Sequence, residues 1–245
     1  MYNNYIMENF NITYYCADIH QKIKDIETDS IDLIYTSPPY GTTEQKWDKS
    51  LNWEIIFQEM WRVLKPNGII VLYASCPFTY ELLQYEKPKY HYSWIKNIST
   101  CFYKAKLQPL RRVEEIFVYY KKLGTYNPQM EGDDFRFMSV GKSNKGDYYG
   151  ERNNIEKSYI DKSQGHIGKY PTTYKNWNIR KSKPKSGITR CDNQIDYFIK
   201  TYSNEGDTIL DLTCCNGMVG DRCEKLNRKY IGIDIEFREG EPISR

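Results

Sequence analysis

The chain has 245 residues, 40% apolar and 15% aromatic, with 35 Lys and Arg against 32 Asp and Glu and a formal net charge of +3. No apolar run approaches the ~20 residues of a membrane-spanning helix, and so small a total charge does not by itself argue for nucleic acid. Seven cysteines, odd in number and without a Cys-x-x-Cys pair, show no zinc-site spacing; a start lacking the basic and apolar blocks of a secretion signal sets the expectation of a reducing, intracellular compartment. One α/β domain is expected at this length.

Short β-rich runs at residues 14–17, 31–35, 69–74, 93–98 and 116–120 are predicted strands. Between them, residues 21–28, 53–64 and 79–84 are predicted helices; the second carries Ile56, Met60, Val63 and Leu64 and stops at Pro66-Asn67-Gly68. Residues 131–190 break this alternation. They hold 13 Lys and Arg against 7 Asp and Glu, a local net of +6 that leaves −3 for the remainder. The stretch is rich in Asn, Ser, Gly and Tyr and has almost no apolar periodicity. It reads either as a solvated linker or as a basic insert that orders on nucleic acid, and the interleaved aromatics favour the second. Arg180, Lys181, Lys183 and Lys185 are its candidate phosphate contacts. A helix at 192–202, a strand at 208–211, a helix at 218–226 and a strand at 230–234 follow, and the alternation implies a largely parallel sheet.

Two segments carry chemistry. The first is Ser37-Pro38-Pro39-Tyr40, in a turn at the carboxyl end of a predicted strand, where α/β sheets bind ligands. Two proline rings limit where the Pro38 carbonyl can point. That carbonyl and the Ser37 hydroxyl can accept hydrogens from one exocyclic amino group, with Tyr40 offering a stacking face. The second segment runs from Asp211 through Cys214-Cys215-Asn216-Gly217, with Asp234 following Gly217 by 17 residues. A strand, a tight turn, a helix and a second strand ending in a carboxylate make a nucleoside-binding unit in which Asp234 takes the ribose hydroxyls. No lysine follows the glycine to grip phosphates, which favours a cofactor without a triphosphate. Both segments also have plain readings, a stiff loop and two helix-capping carboxylates.

Together these residues resemble the permuted, β-group DNA amino-methyltransferases, in which the catalytic motif precedes the cofactor motif. The resemblance runs through TSPPYGTTEQKWD, WRVLKPNGIIVLYASCPFT, residues 94–122, FIKTYSNEGDTILDLTCCNGMVG and CEKLNRKYIGIDIE. It implies a Rossmann-like, doubly wound, seven-stranded α/β sheet with circularly permuted motif order. It further implies one methyltransferase domain over 1–245, with a catalytic half (1–130), a target-recognition insert (131–190) and a cofactor half (191–245). The implied reaction moves a methyl group from S-adenosylmethionine to the exocyclic amine of a flipped base in double-stranded DNA. By the same resemblance Ser37, Pro38, Pro39 and Tyr40 hold the target base, and Asp211, Cys215, Gly217 and Asp234 hold the cofactor. Asp18 stands where family members place a carboxylate near the cofactor's adenine; a helix N-cap is its other reading. Thr189 and Arg190 stand in place of the family's Thr-Gln-Lys-Pro, before a helix that covers the methionine end.

The departures are specific. Leu212 and Thr213 replace the usual Pro-Phe of the cofactor turn, and Cys215 occupies its first glycine position, where a side chain crowds the methionine moiety or strains φ. With the short stretch after Asp234, this motivates a second reading, an inactive DNA-binding partner subunit; a methyltransferase acting on RNA is a third. Ser37 is the cytosine-N4 form of the motif, whereas residues 41–48 and 110–122 resemble adenine-specific members, and adenine N6 is the reading taken. Dimerisation is frequent in the family, and a homodimer would help so compact a chain grip a site; a methyltransferase partner subunit belongs to the inactive reading, and the sequence leaves a restriction partner open. Trp47 reads as filling the gap left by the flipped base, as packing the loop, or as core, and core packing is the reading taken.

Overall fold

The computed structural model describes residues 6–9, 11–137, 165–178 and 191–235. Two compact units are present, one made of Met1–Asn127 with Thr173–Arg245 and the other of Pro128–Thr172. The first contains β1 (Ile6–Asn9), β2 (Ile12–Cys16), α1 (Ile19–Lys22), β3 (Ile31–Thr36), α2 (Trp53–Val63), β4 (Leu64–Ala74), α3 (Phe78–Tyr85), β5 (Tyr90–Thr100) and β6 (Arg111–Tyr119). The second holds β7 (Glu131–Phe137) and β8 (Gly165–Lys169), an antiparallel pair with Glu131 opposite Lys169. The chain then returns to the first unit with β9 (Tyr174–Lys175), α4 (Asp192–Tyr202), β10 (Thr208–Asp211), α5 (Met218–Lys225) and β11 (Lys229–Asp234).

Nine of these strands form one sheet in the order β1-β2-β11-β10-β3-β4-β6-β5-β9. Its seven central strands are the expected doubly wound α/β sheet, and short β1 and β9 extend the two edges. Neighbours from β2 to β4 run parallel, so their carboxyl ends share one edge. β6 is antiparallel to both β4 and β5, which points β5 the same way as β4.

Alternation within strands sends successive side chains to opposite faces, and each face is closed by helices. In β4, Ile70, Leu72 and Ala74 join Trp53, Ile56, Met60 and Val63 of α2, with Phe78 and Leu82 of α3. Ile69, Val71 and Tyr73 face the other way, onto Ile195, Phe198, Ile199 and Tyr202 of α4. Asn52 starts α2 by accepting the Ile55 N–H, at 3.3 Å.

Three local differences from the sequence reading have physical causes. The helix expected at 21–28 is a four-residue turn followed by a 3-10 turn, Ile23–Asp25, because Arg62 of α2 captures the carbonyls of Ile23 and Ile26, each at 2.8 Å. β4 begins at Leu64, directly after α2, and its register against β3 jumps between the Ile31–Leu64 and Leu33–Ile69 pairs. That jump accommodates Pro66 and Gly68. The strand expected at 93–98 is the inner part of a longer β5–β6 hairpin. Arg180, Lys181, Lys183, Lys185, Thr189 and Arg190 lie outside the described residues. No helix among the described residues is long and apolar enough to cross a membrane.

Candidate active site

A cavity of about 630 Å3 opens at the carboxyl edge of the sheet. Ser37, Pro38, Pro39 and Tyr40 line it after β3, Asp211 at the end of β10 with Leu212, Thr213 and Cys215 after it, and Asp234 at the end of β11. Parallel strand order explains this meeting: β3 and β10 are adjacent, with Ile209 opposite Leu33, so two motifs about 175 residues apart in sequence end side by side. Thr36 and Thr213 link them directly, hydroxyl to hydroxyl, at 3.2 Å.

The turn after β10 is held from two sides. Asp234 accepts the Cys215 N–H at 2.8 Å, and the Cys214 N–H reaches the Ile233 carbonyl at 2.9 Å. Cys215 has φ +51°, a left-handed conformation that costs a residue with a Cβ roughly 1–2 kcal/mol. The strain anticipated for this position is therefore present. Cys215→Gly is expected to stabilise the protein by about 1 kcal/mol, a rise of roughly 2–4 °C in Tm for a chain of this size, read by differential scanning fluorimetry.

Gly217 does not line the cavity. It takes φ +78° behind the turn, and a Cβ there would sit 2.9 Å from the Tyr14 hydroxyl. That hydroxyl, buried under the turn, donates to the Gly217 carbonyl at 3.2 Å. Gly220 in α5 is equally constrained, since its Cβ would meet the same oxygen at 2.1 Å. Tyr14 is thus a supporting residue that no local pattern announces; burial pushes its phenol well above the ordinary range, so it stays a neutral donor.

Asp211 is buried, with 3% of its surface exposed. Burial pushes its carboxyl up to about 7 and the nearby Asp234 adds to the rise, while hydrogen bonds from the Thr213 N–H, Thr36 and Tyr230 pull the other way. Asp18 has the N-cap role that was its other reading. It caps α1 by accepting the His20 N–H at 2.8 Å, and it also lines the cavity.

The loop after Tyr40 is tied to one side chain. Asp48 accepts the N–H of Gly41 at 2.8 Å on one carboxylate oxygen, and on the other the N–H of Thr42 at 2.9 Å and both the N–H and hydroxyl of Thr43 at 2.7 Å. Burial alone would raise its pKa, but the hydrogen bonds, that of the Thr43 hydroxyl foremost, more than offset it and hold the carboxyl below the usual range. Trp47, assigned to the core from sequence, is half-buried and lines the cavity instead.

Tyr40 stacks on Phe78, with ring centroids 5.2 Å apart and 19° between planes, and its hydroxyl lies 3.5 Å from Glu114. Glu114 pairs with buried Lys96 at 2.9 Å, and both line the cavity with Trp94. This charged pair was not legible beforehand, because it requires the cross-strand register of β5 and β6. Arg112 fixes the strand behind it by donating twice to the Lys96 carbonyl.

A doubly wound sheet with two motif-bearing turns converging on one cavity is the architecture of the nucleoside-binding α/β class. The profile of the N6/N4 DNA methylase family matches residues 31–241, and the chain belongs to that family, whose members methylate adenine N6 or cytosine N4 in DNA. It is 27% identical to the type II methyltransferase M.HpaI of Haemophilus parainfluenzae, over 90% of this chain and 69% of that protein. It is 25% identical to the orphan methyltransferase M.BamHII of Bacillus amyloliquefaciens, over 84% of each. The match to M.BamHI of the same organism, also 25%, spans 90% of this chain and 54% of that longer protein. Among solved structures, the fold is shared with the M1.HpyAVI complex with S-adenosylmethionine (TM-score 0.56, 20% identity, 92% and 94% covered). It is shared also with the cytosine-N4-specific PvuII DNA methyltransferase (TM-score 0.60, 14% identity, 96% and 88% covered).

The residues present fit S-adenosylmethionine. A strand-end carboxylate that already organises the turn suits a ribose, and a buried acidic residue beside it suits a cationic ligand.

Proposed function

We propose that this chain transfers a methyl group from S-adenosylmethionine to N6 of adenine in double-stranded DNA. The observation that carries the reading is the convergence of Ser37-Pro38-Pro39-Tyr40 with Asp211, Cys215 and Asp234 on one cavity. Asp234 would hold the ribose, Asp18 would face the adenine, and the turn at Cys215 would border the methionine portion. When bound, the cofactor supplies a sulfonium methyl that needs little activation.

The remaining difficulty is the acceptor, whose lone pair is delocalised into the ring. The Pro38 carbonyl and the Ser37 hydroxyl accept its two N–H hydrogens and draw the nitrogen towards tetrahedral geometry, with the lone pair aimed at the methyl group. Ser37 does not act as a general base, since a neutral hydroxyl takes no proton near pH 7; the proton leaves to solvent after transfer. The amine is unreachable in a stacked duplex, so the base is flipped, and Tyr40, backed by Phe78, is the platform on which it stacks. The buried Lys96–Glu114 pair offers a donor and an acceptor to its edge.

Ser37 supports a second reading, cytosine N4, because serine opens the motif in many cytosine enzymes; the resemblance of residues 41–48 and 110–122 supports adenine. The test is methylation of AT-rich and GC-rich duplex pools, followed by nucleoside mass spectrometry. N6-methyladenine is expected, N4-methylcytosine alone transfers the assignment to cytosine, and no methylated nucleoside despite cofactor binding sinks both. In the basic insert, replacing Arg180, Lys181, Lys183 and Lys185 together is expected to weaken DNA binding for all sequences and to flatten its salt dependence. Unchanged affinity would make the segment a linker.

A further inference from the structure

The β5–β6 hairpin belongs to neither motif, yet it stands over the same cavity. Ala74, the last residue of β4, is level with Glu115 of β6, so Arg111–Glu114 and the partner portion of β5 overhang the carboxyl edge of the sheet. At about 3.3 Å per residue those four positions carry the hairpin roughly 13 Å beyond β4, before its connecting turn begins. Ile98 and Thr100, on the overhanging part of β5, line the cavity. Lys46, Trp47 and Lys49 of the loop clamped by Asp48 line it too.

Composition at the tip is unusual for a solvent-facing turn. Phe102 is 67% exposed and Leu107 84% exposed, with Ile98 half-exposed below them. Between positions 97 and 113 there are four basic residues, Lys104, Lys106, Arg111 and Arg112, and no acidic one. Large apolar side chains held out in water beside a wholly basic flank suit an apolar stack enclosed by phosphates, the ligand the neighbouring cavity already calls for. Rigidity is also provided, because Arg112 fastens β6 to the Lys96 carbonyl across the irregular part of the ladder.

We propose that this hairpin is a DNA-entering wedge. Phe102 and Leu107 occupy the space left in the duplex when the target base swings into the cavity, while Lys106, Lys104 and Arg111 hold the flanking phosphates. The proposal rests on the base-flipping reading above and adds to it a site in the catalytic half, separate from the basic insert. Its partner is the stacked duplex, so its contribution vanishes wherever the target base is already unstacked.

The test begins by mapping the modified position on unmethylated plasmid DNA. Duplex oligonucleotides carrying that site are then prepared with the target base either paired or opposite an abasic site. The Phe102→Ala/Leu107→Ala double variant is expected to transfer methyl groups about tenfold more slowly than wild type on the paired duplex. On the abasic duplex it is expected to come within about twofold of wild type. Equal rates for variant and wild type on both duplexes overturn the wedge, and so does an equal slowing on both, which marks a structural role. A Phe102→Trp variant reads the same contact without turnover, as the difference from wild type because Trp47 and Trp94 also line the cavity: extra quenching by duplex DNA supports stacking, and no quenching beyond that of wild type at saturating DNA refutes it. Were wild type to methylate no DNA, the methyl-transfer reading would fall, and this fluorescence result would still decide the wedge.

Discussion

Asp48→Asn is expected to lower methyl transfer to DNA about a hundredfold while leaving cofactor affinity within about twofold of wild type. The carboxylate gathers four donors from Gly41, Thr42 and Thr43, three on one oxygen and one on the other. An asparagine has a single acceptor oxygen. Whichever way its amide turns, the NH2 group faces at least one of those donors, so the clamp loses a charge-assisted bond and gains a repulsive contact. Each lost bond of this kind is worth about 1.5–3 kcal/mol. The residue touched first is Gly41, at φ +63°, immediately after Tyr40, so the displacement falls on the base platform and the Pro38 carbonyl. Misplacement of reacting groups by about 1 Å costs on the order of a hundredfold. Single-turnover transfer and calorimetric cofactor titration separate the two effects. Activity within threefold of wild type, or a parallel collapse of cofactor binding, would discard the positioning role. Because the folded-state pKa lies below the ordinary value, the clamp's stabilisation is complete above the usual carboxylate range and is lost only as pH falls through the lower, folded value.

Asp211 has the opposite sign. Its pKa rises from an ordinary 3.8 to about 7, so the folded protein binds a proton that the unfolded chain has released. The stabilisation associated with that proton is whole below pH ~4 and disappears as pH climbs through 7. The protein without cofactor is therefore expected to be less stable at pH 8 than at pH 5, by on the order of 3 kcal/mol from this residue. Asp211→Asn, neutral at every pH, is expected to flatten that slope. Urea unfolding of both proteins at pH 5, 6, 7 and 8 checks it, and parallel profiles would count against the protonated carboxyl. A cationic ligand in the cavity favours the ionised form, so affinity for S-adenosylmethionine is expected to rise between pH 6 and 8 with proton release. Calorimetry in two buffers of different ionisation enthalpy measures that proton.

Elements that bury a face were legible in advance. α4 and β10 have the expected boundaries, 192–202 and 208–211, because Ile195, Phe198 and Ile199 recur at helical spacing and Ile209 and Leu210 fill a short buried strand. Both motif turns were legible for the same reason, each sitting where such a strand ends. The outer half of the β5–β6 hairpin was not, since Phe102, Leu107 and Val113 are exposed and leave no period to read. Nor was the work of Asp48, whose partners are backbone N–H groups that every residue possesses. Lys96 with Glu114, and Tyr14 with Gly217, are pairs made by sheet register, to which local spacing is blind.

The Tyr14–Gly217 hydrogen bond joins positions 203 apart, and β2 lies directly against β11. The turn after β10 is consequently supported by two strands, β2 and β11, made some two hundred residues apart. A nascent chain would hold its catalytic strands well before it could hold a cofactor turn. Such non-local closure slows folding and makes competence for the methyl donor a late acquisition.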